Sequence, residues 1–250
     1  MTRVQATPNG NEAAIRADVA AALRLACRNG WNEGVANHFS AAISADGKEF
    51  LVNPRWVHWS RVRASDLILC NCDDPLTMER PDAPDRSAWS IHSALHRNLP
   101  QARAALHVHP PHATALASLK DPTIKPIDQV TARWFRRLAY DLAFGGIASD
   151  TEEGERIART VGNHRAVMMQ NHGVTTFGPS VAEAWDALYH LELAARTMVM
   201  AYQTGRELAV MRDELAEETA CGWEACRDAE IAHFEEMKLV LDREEPDYRD

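Results

Sequence analysis

The sequence predicts an α/β fold class, in which a single domain packs helices on a central sheet. The chain has 250 residues, a length that suits one α/β domain and at most two. Hydrophobic residues make up 46% of it and charged residues 25%, which is typical of a folded globular protein. Segments with helical spacing of apolar residues alternate with short segments of strand length.

The first elements lie before residue 72. Residues 1–12 are predicted to form a disordered tail, followed by a helix over 12–28 that Asn29-Gly30 ends. The stretch GVANHFSAAIS alternates enough for a strand, and Asp46-Gly47 followed by EFLVNP predicts a hairpin with it. SRVRASDLILCN then predicts a short turn that leads into a buried strand.

The central elements surround two polar loops, 73–86 and 121–128. Ser87 can cap a helix over 88–99, which Pro100 ends. A strand over 103–109 and a short helix over 112–119 are predicted to follow.

The last elements complete the predicted domain, which spans residues 13–210. A helix over 151–163 has its acidic residues at the N-terminal end, where the helix dipole favours them. RAVMMQNHGVTTFG predicts strand, turn and strand. Ser180 and Glu183 form a capping box for a long helix that reaches about Thr204. Residues 211–250 are predicted to be an acidic helical extension that packs between subunits.

Charge and composition limit the partners. The formal net charge of −9 argues against nucleic-acid binding, and no apolar run approaches the roughly 20 residues that a membrane helix needs. The stretch MTRVQATPNGNEAA lacks the apolar segment of a signal peptide. The five cysteines are scattered and odd in number, which favours reduced thiols. We therefore expect a cytoplasmic protein.

Three histidines are candidate metal ligands. His107 and His109 lie two apart in a predicted strand, so their side chains share a face, and Pro110-Pro111 ends that strand. His172 lies at another strand end, before Gly173, which allows a tight backbone reversal. Three neutral imidazoles with an open fourth position suit a catalytic zinc site, although other divalent metals are compatible. Spacing alone leaves open two hydrogen-bonded histidines at a strand end.

The order of the motifs VANHFS, FLVNP, ASDLI, IHSALHRNLPQARAALHVHPPHATAL and NHGVTTFG, before a long helix, resembles the class II aldolase/adducin family over residues 13–204. The resemblance implies a three-layer α/β/α domain with a mostly antiparallel sheet. It also implies a homotetramer with the active site between subunits. His107, His109 and His172 are then the ligands of one divalent metal ion per subunit, zinc first, with manganese or iron as alternatives.

The sequence departs from the family at the acid/base position. Ala88 stands where the aldolases carry a glutamate, and a methyl group moves no proton. Asp85, three residues away, is a candidate replacement.

A second departure concerns phosphate binding. The aldolases' phosphate turn is replaced by Asn53-Pro54-Arg55-Trp56, which lacks glycine. Arg55 and Arg86 lie in the two corresponding segments, and a guanidinium binds carboxylate in a bidentate fork. They are candidate ligands of an anionic small-molecule substrate, or else ordinary surface residues.

Further polar residues have expected roles. Asn37 matches the family's substrate-side asparagine, and alternation predicts that His38 faces away from the site. Ser87 lies in the substrate-binding segment, and His112 is a candidate for proton transfer or for support of the metal ligands. His92 and His96 share a helix face and are expected to pack in the interior.

The predicted function is a metal-dependent lyase, in its simplest form a decarboxylase of a small keto, hydroxy or aromatic acid. Decarboxylation needs an electron sink and no base that removes a proton from carbon. The alternatives are a mononuclear non-haem iron oxygenase on the same histidines, an aldolase or epimerase with a relocated base, and a non-catalytic adducin-like module.

Overall fold

The computed structural model describes residues 10–146 and 151–250. Within these residues the helices are α1 (Gly10–Arg28), α2 (Arg86–Asn98), α3 (Pro111–Ala117), α4 (Gln129–Ala132), α5 (Thr151–Val161), α6 (Val181–Gln203), α7 (Asp213–Glu224) and α8 (Arg227–Glu244). The strands are β1 (His38–Ala42), β2 (Glu49–Val52), β3 (Ile68–Asn71), β4 (Ala104–Val108), β5 (Leu138–Asp141), β6 (Ala166–Met169) and β7 (Val174–Gly178).

The strands form one sheet in the order β3-β2-β1-β4-β7-β6-β5. Every neighbouring pair is antiparallel except β5 with β6, which is parallel. The predicted hairpins β1–β2 and β6–β7 are both present. The expectation of a mostly antiparallel sheet is therefore confirmed.

Helices cover both faces of the sheet, as the alternation along β4 shows. Leu106 and Val108 belong to the apolar cluster that also contains side chains of α1, α6 and α8. Ala105, which precedes Leu106, belongs to a second cluster with side chains of α2 and α5. Because alternate residues of a strand face opposite sides, His107 lies on the α2 side with Ala105. The expected three-layer α/β/α arrangement is confirmed.

Three local predictions differ from the structure. The helix α1 begins at Gly10, and the rest of the predicted tail, residues 1–9, lies outside the described residues. The strand β3 lies at the edge of the sheet, so Leu69 is 38% exposed instead of buried. The helix α2 begins at Arg86 and is capped by Asp85, whose carboxylate accepts a hydrogen bond from the backbone N–H of Ser87.

The strand β5 was not predicted. Its four residues, LAYD, follow five basic or aromatic residues and show no clear alternation. The segment becomes a strand through its parallel pairing with β6, which comes about 28 residues later in the chain. Such a pairing depends on the tertiary fold, and local sequence carries no signal for it.

The predicted C-terminal extension is helical. The helix α8 packs on α6 of the same chain, and Phe234 and Leu241 are fully buried in the cluster that contains Trp185. The domain boundary at residue 210 and a role between subunits stay predictions. Among the described residues, no helix combines the length and the apolar character that crossing a membrane requires.

Candidate metal centre and active site

The structure brings the three predicted histidines together at one end of the sheet. His107 lies in β4, His109 follows it directly, and His172 lies in the turn between β6 and β7. Because β4 and β7 are paired, with His107 opposite Thr175, the end of β4 meets the turn that precedes β7. We call His107, His109 and His172 the three-histidine centre. Its three ring centroids lie 4.9–5.0 Å from one another.

Hydrogen bonds determine where two of these rings carry their protons. The Nδ1–H of His107 donates to the carbonyl of Val174 at 3.1 Å, and that of His109 donates to the carboxylate of Glu33 at 2.6 Å. A neutral imidazole has one donor and one acceptor nitrogen, so both Nε2 atoms are left with a lone pair. These two Nε2 atoms lie only 3.2 Å apart.

This arrangement fits a metal ion. Two facing lone pairs at 3.2 Å repel each other, unless a cation lies between them. Two nitrogens bound to one tetrahedral zinc ion are separated by about 3.3 Å, given bonds of about 2.0–2.1 Å. Burial lowers the pKa of His107 well below its ordinary value and that of His172 to about 4, helped by the neighbouring imidazoles. Both are therefore neutral at pH 7, the form that binds metal.

Gly173 is required by the close approach of the His109 ring. A Cβ at Gly173 would lie 2.3 Å from His109 Cδ2 and 2.8 Å from the carbonyl oxygen of Val108. The tight reversal expected of this glycine depends instead on Asn171, two residues earlier, which has a φ of +56°. Gly173 thus allows the turn to lie against β4 so that His172 meets the other two histidines.

We expect the substitution Gly173→Ala to weaken metal binding more than about tenfold. Changes to the groups that orient a metal ligand typically lower the affinity for the metal by at least about that factor. The added methyl group must displace the His109 ring. The affinity for zinc, measured by calorimetry, checks this, with Gly222→Ala as a control because a Cβ there meets nothing within 4 Å. An unchanged affinity in Gly173→Ala would show that the His109 ring contributes nothing to the site.

Glu33 supports the centre and was not predicted. Its carboxylate accepts the hydrogen bond from His109 and also one from the side-chain amide of Asn37, at 3.3 Å. A carboxylate that orients a metal-binding imidazole through its other nitrogen is a common arrangement around metal ions. Glu33 lies in a loop before β1, where its sequence neighbours carry no signal of this role. The predicted substrate residue Asn37 is thereby held beside the centre.

The predicted orientation of His38 is wrong. His38 is the residue of β1 directly opposite His107, and paired residues of antiparallel strands share a face. The two ring centroids lie 4.8 Å apart, so His38 faces the site instead of pointing away. The prediction assumed that alternation continues through Asn37, but Asn37 precedes the strand and has a φ of +72°.

A buried chain of hydrogen bonds runs from His38 into the interior. His38 Nδ1 lies 2.8 Å from His92 Nε2, and His92 Nδ1 lies 2.5 Å from Ser40 Oγ. Ser40 Oγ lies 2.7 Å from His96 Nε2, and His96 Nδ1 lies 2.8 Å from the carbonyl oxygen of Ala102. His92 and His96 are buried, as expected, and they take part in this chain as well as packing.

The carbonyl of Ala102 determines the direction of the whole chain. A carbonyl only accepts, so His96 donates through Nδ1 and accepts the hydroxyl proton of Ser40 at Nε2. Ser40 then accepts from His92 Nδ1, and His92 Nε2 accepts from His38 Nδ1. His38 is left with a lone pair on Nε2, 3.3 Å from Ser87 Oγ. The site therefore has a hydrogen-bond acceptor that the sequence did not reveal.

The buried chain of histidines makes the protein sensitive to acid. Burial lowers the pKa of His96 to about 4 from 6.5, so below pH 6.5 the unfolded state binds its proton more strongly than the folded state. Stability is therefore fully retained above pH 6.5 and falls as the pH drops toward 4. At pH 5 the expected loss from this one residue is about 2 kcal/mol.

Urea unfolding at pH 7 and pH 5 checks this prediction in His96→Gln, whose amide can still donate and accept. We expect this variant to lose about 2 kcal/mol less than the wild type between the two pH values. His164→Gln, at a partly exposed histidine outside the chain, should keep the wild-type pH dependence. Equal losses in His96→Gln and the wild type would contradict the prediction.

Ser87 and Asp85 lie where α2 begins, next to His38. The hydroxyl of Ser87 donates to the Asp85 carboxylate at 2.6 Å. Burial raises the pKa of Asp85, but the hydrogen bonds from the Ser87 hydroxyl and backbone outweigh this and leave it below its ordinary value. Asp85 is thus ionised and engaged in capping. Ala88 is buried with apolar side chains of β1, β2 and β3.

Of the two predicted arginines, Arg55 is not brought to the three-histidine centre of its own chain. Arg55 lies in the wall of a groove of about 1130 Å³ beside the edge strand β3, and none of the three histidines lines it. Its guanidinium stacks 4.5 Å from the ring centroid of Trp56, which has a φ of +61° and is 71% exposed. Residues with a strained backbone of this kind are concentrated at functional sites. Arg86 is the exposed first residue of α2.

His112, a predicted residue, and Phe144, which was not predicted, differ in their relation to the site. His112 follows β4, and its Nδ1 and backbone N–H both bind the Glu192 carboxylate, at 2.7 and 3.0 Å. Its ring is 37% exposed, and the described hydrogen bonds do not join it to the three histidines. Phe144 is 49% exposed and lies 5.8 Å from the His172 ring centroid. It gives the centre an apolar edge that the sequence did not predict.

Comparisons with known proteins agree with this geometry. The sequence profile of the Class II Aldolase and Adducin N-terminal domain matches residues 17–199. The crystal structure of an aldolase II superfamily protein from Pseudomonas syringae superposes with a TM-score of 0.88. It is 29% identical, and the match covers 97% of this chain and 98% of that one.

Two relatives carry names that describe a reaction. The decarboxylase NovR of Streptomyces niveus is 25% identical over 232 residues, which cover 86% of each protein. The 4-hydroxy-3-prenylphenylpyruvate oxygenase/4-hydroxy-3-prenylbenzoate synthase of Streptomyces roseochromogenus subsp. oscitans is 26% identical over 211 residues. That match covers 82% of this chain and 76% of the relative.

Proposed function

The chain belongs to the class II aldolase and adducin N-terminal domain family, as its motifs predicted, and we propose that it is a metal-dependent decarboxylase of a small carboxylated substrate. One observation carries the proposal. Three imidazoles suited to a metal ion lie together at a site whose family acid/base position holds the buried Ala88. Such a site offers an electron sink without the carboxylate that aldol chemistry uses in this family.

The three-histidine centre would hold the metal ion, with zinc as the first choice and manganese or iron as alternatives. Glu33 and the Val174 carbonyl would keep the Nδ1 protons of His109 and His107, so that both Nε2 atoms stay available. When bound, the ion supplies a Lewis acid beside the substrate oxygen on which negative charge develops.

The reaction itself needs few protein groups. The bond between the carboxylate and the adjacent carbon breaks, carbon dioxide leaves, and the electron pair moves toward the keto or hydroxyaryl oxygen. The carbon then takes a proton from water or from His112. Asn37 and Ser87 would hydrogen-bond the substrate beside the centre, and His38 Nε2 would accept from a substrate hydroxyl.

Carboxylated and aromatic substrates suit the surroundings of the centre. Phe144 offers an exposed ring at its edge, and such a ring packs on aromatic or prenyl groups. Arg86, at the start of α2 beside Ser87, would bind an anionic group in a bidentate fork, whereas Arg55, which lies away from the centre of its own chain, would do so at a site shared between subunits. The name of the decarboxylase NovR favours a carboxylated substrate, and the name of the second Streptomyces relative favours an aromatic one.

The fold of this family also favours the assembly of several subunits into an oligomer. We propose a homotetramer with the active site between subunits, in the cytoplasm. Light scattering would give the mass of the assembly, and a 28 kDa monomer at micromolar concentration would contradict the proposed tetramer.

A carbon dioxide assay tests the proposed reaction. Hydroxyaryl and β-keto acids labelled at the carboxyl group are incubated with protein loaded with zinc, manganese or iron, with and without oxygen. Label released without oxygen supports the decarboxylase. Release that requires both iron and oxygen would instead support the oxygenase, which the second relative's name favours. No release under any condition would contradict both.

A further inference from the structure

A second set of metal-ligating side chains lies where α8 packs on α6, on the other side of the sheet from His38 and His107. Asp186 and His190 are four residues apart on α6, so they share a helix face, and His233 comes from α8. We call these three residues the helix cluster. We propose that the helix cluster binds a divalent transition-metal ion, zinc in the first place, independently of the three-histidine centre.

The ligand atoms are already close together. Asp186 Oδ1 lies 2.8 Å from His233 Nδ1 and 3.2 Å from His190 Nδ1. All three ligand atoms lie within 4.8 Å of one another, and ligands that share one tetrahedral zinc ion are about 3.3 Å apart, so an ion requires shifts of about 1.5 Å at most. Two imidazoles and one carboxylate are a donor set that divalent transition metals accept. Each imidazole can move its proton from Nδ1 to Nε2 as the ion binds, and His190 then exchanges its hydrogen bond to the backbone carbonyl of Asp186, at 2.9 Å, for the bond to the ion.

The Oδ2 atom of Asp186 has an ion-pair partner but no aligned hydrogen bond. Asp186 is 98% buried, and Arg133 Nη1 lies 2.8 Å from its Oδ2. The two groups are not aligned for a hydrogen bond, and neither atom has another hydrogen-bond partner in the described part of the chain. A buried carboxylate usually accepts hydrogen bonds at both oxygens. This one is ionised, since His190, His233 and Arg133 together hold its pKa well below the ordinary value despite burial.

The helix cluster is accessible from solvent through a cavity of about 290 Å³. Its wall includes Asp186, Tyr189, His190, Trp223, Cys226 and His233. Since a water molecule occupies about 30 Å³ of liquid, the cavity has room for an ion with its remaining water ligands. An ion can therefore enter without unfolding of the α6–α8 contact.

The alternative is that the helix cluster only holds the helices together and binds no metal. Glu230, in the same cavity wall, has such a structural role, because its carboxylate is paired with Arg133 and Arg165 at 2.8 Å and links α8 to the domain. Asp186, His190 and His233 could likewise only tie the helices together through hydrogen bonds. The substitution His233→Gln separates the two roles, since its amide can donate to Asp186 but is a poor metal ligand.

Zinc titration by calorimetry, after removal of metal with a chelator, tests the proposal. We expect two zinc ions per wild-type chain and one in the double variant His107→Ala/His109→Ala, which lacks the first centre. Adding His233→Gln to that variant should weaken the remaining site more than tenfold. His164→Gln, in the same background, should leave it unchanged. Circular dichroism verifies that each variant is folded.

The outcomes are separable. Zinc binding in the double variant that His233→Gln removes and His164→Gln does not would establish the site. No binding in the folded double variant, or binding that His233→Gln leaves intact, would overturn the proposal. If the double variant does not fold, His233→Gln in the wild-type chain serves instead. Its zinc content must then fall from two to one, and an unchanged content overturns the proposal.

Discussion

Replacing His107 with alanine is expected to remove the metal ion of the three-histidine centre and to abolish decarboxylation. The ring of His107 is buried between His38, His109 and His172, and its Nε2 lies 3.2 Å from that of His109. Without it, two imidazoles remain, too few for a catalytic site of this kind. A metal ion contributes several kcal/mol to such a reaction, so we expect a rate loss on the order of 10³-fold or more.

Metal content and turnover, measured on the same preparation, check this prediction. His107→Ala should lose one equivalent of zinc and keep the fold, because a catalytic site lies on a scaffold that forms without it. His164→Ala serves as the matched control, since that histidine belongs to neither metal cluster. Full zinc content and full activity in His107→Ala would show that the three histidines are not the metal ligands.

Sugar phosphates such as fuculose or ribulose phosphate are expected to be cleaved at background rates by the wild-type protein. Retro-aldol cleavage requires a base that removes a hydroxyl proton, and such a base contributes roughly 10²–10⁴-fold. Ala88 cannot supply it, and Asp85 is engaged with Ser87 at the start of α2. The turn that would receive phosphate lacks the glycine that lets the backbone approach an anion closely, so binding should be weak as well.

A screen of sugar phosphates against hydroxy and keto acids, run separately with zinc, manganese and iron, measures the difference. The acids should release carbon dioxide under conditions in which the sugar phosphates stay intact. Asp85→Asn is the informative variant if a sugar phosphate is cleaved. Efficient cleavage that disappears in Asp85→Asn would mean that the base has moved to Asp85, and that the enzyme is an aldolase.

Local sequence was sufficient for elements whose signals lie within a few residues. Ser180 and Glu183 predicted the start of α6, and the structure has Ser180 as its cap, with a hydrogen bond from the Glu183 backbone. The two-residue spacing of His107 and His109 correctly predicted that their side chains lie next to each other. The spacing was misleading at His38. The prediction applied the alternation of strand side chains to Asn37 and His38, but β1 begins at His38, so Asn37 lies outside the strand.

The sequence by itself determined the family, the strands and helices with strong periodicity, and the three histidines as a set of candidate ligands. Only the tertiary structure decided that His172 meets the other two, because this depends on the pairing of β4 with β7 and on the space that Gly173 leaves for His109. The tertiary structure also decided three other features, namely the contact of Glu33 with His109, the hydrogen-bond chain from His38 to Ala102, and the helix cluster. Each joins residues distant in sequence, and such contacts are determined by how strands pair and helices pack, for which no short stretch of sequence carries a signal.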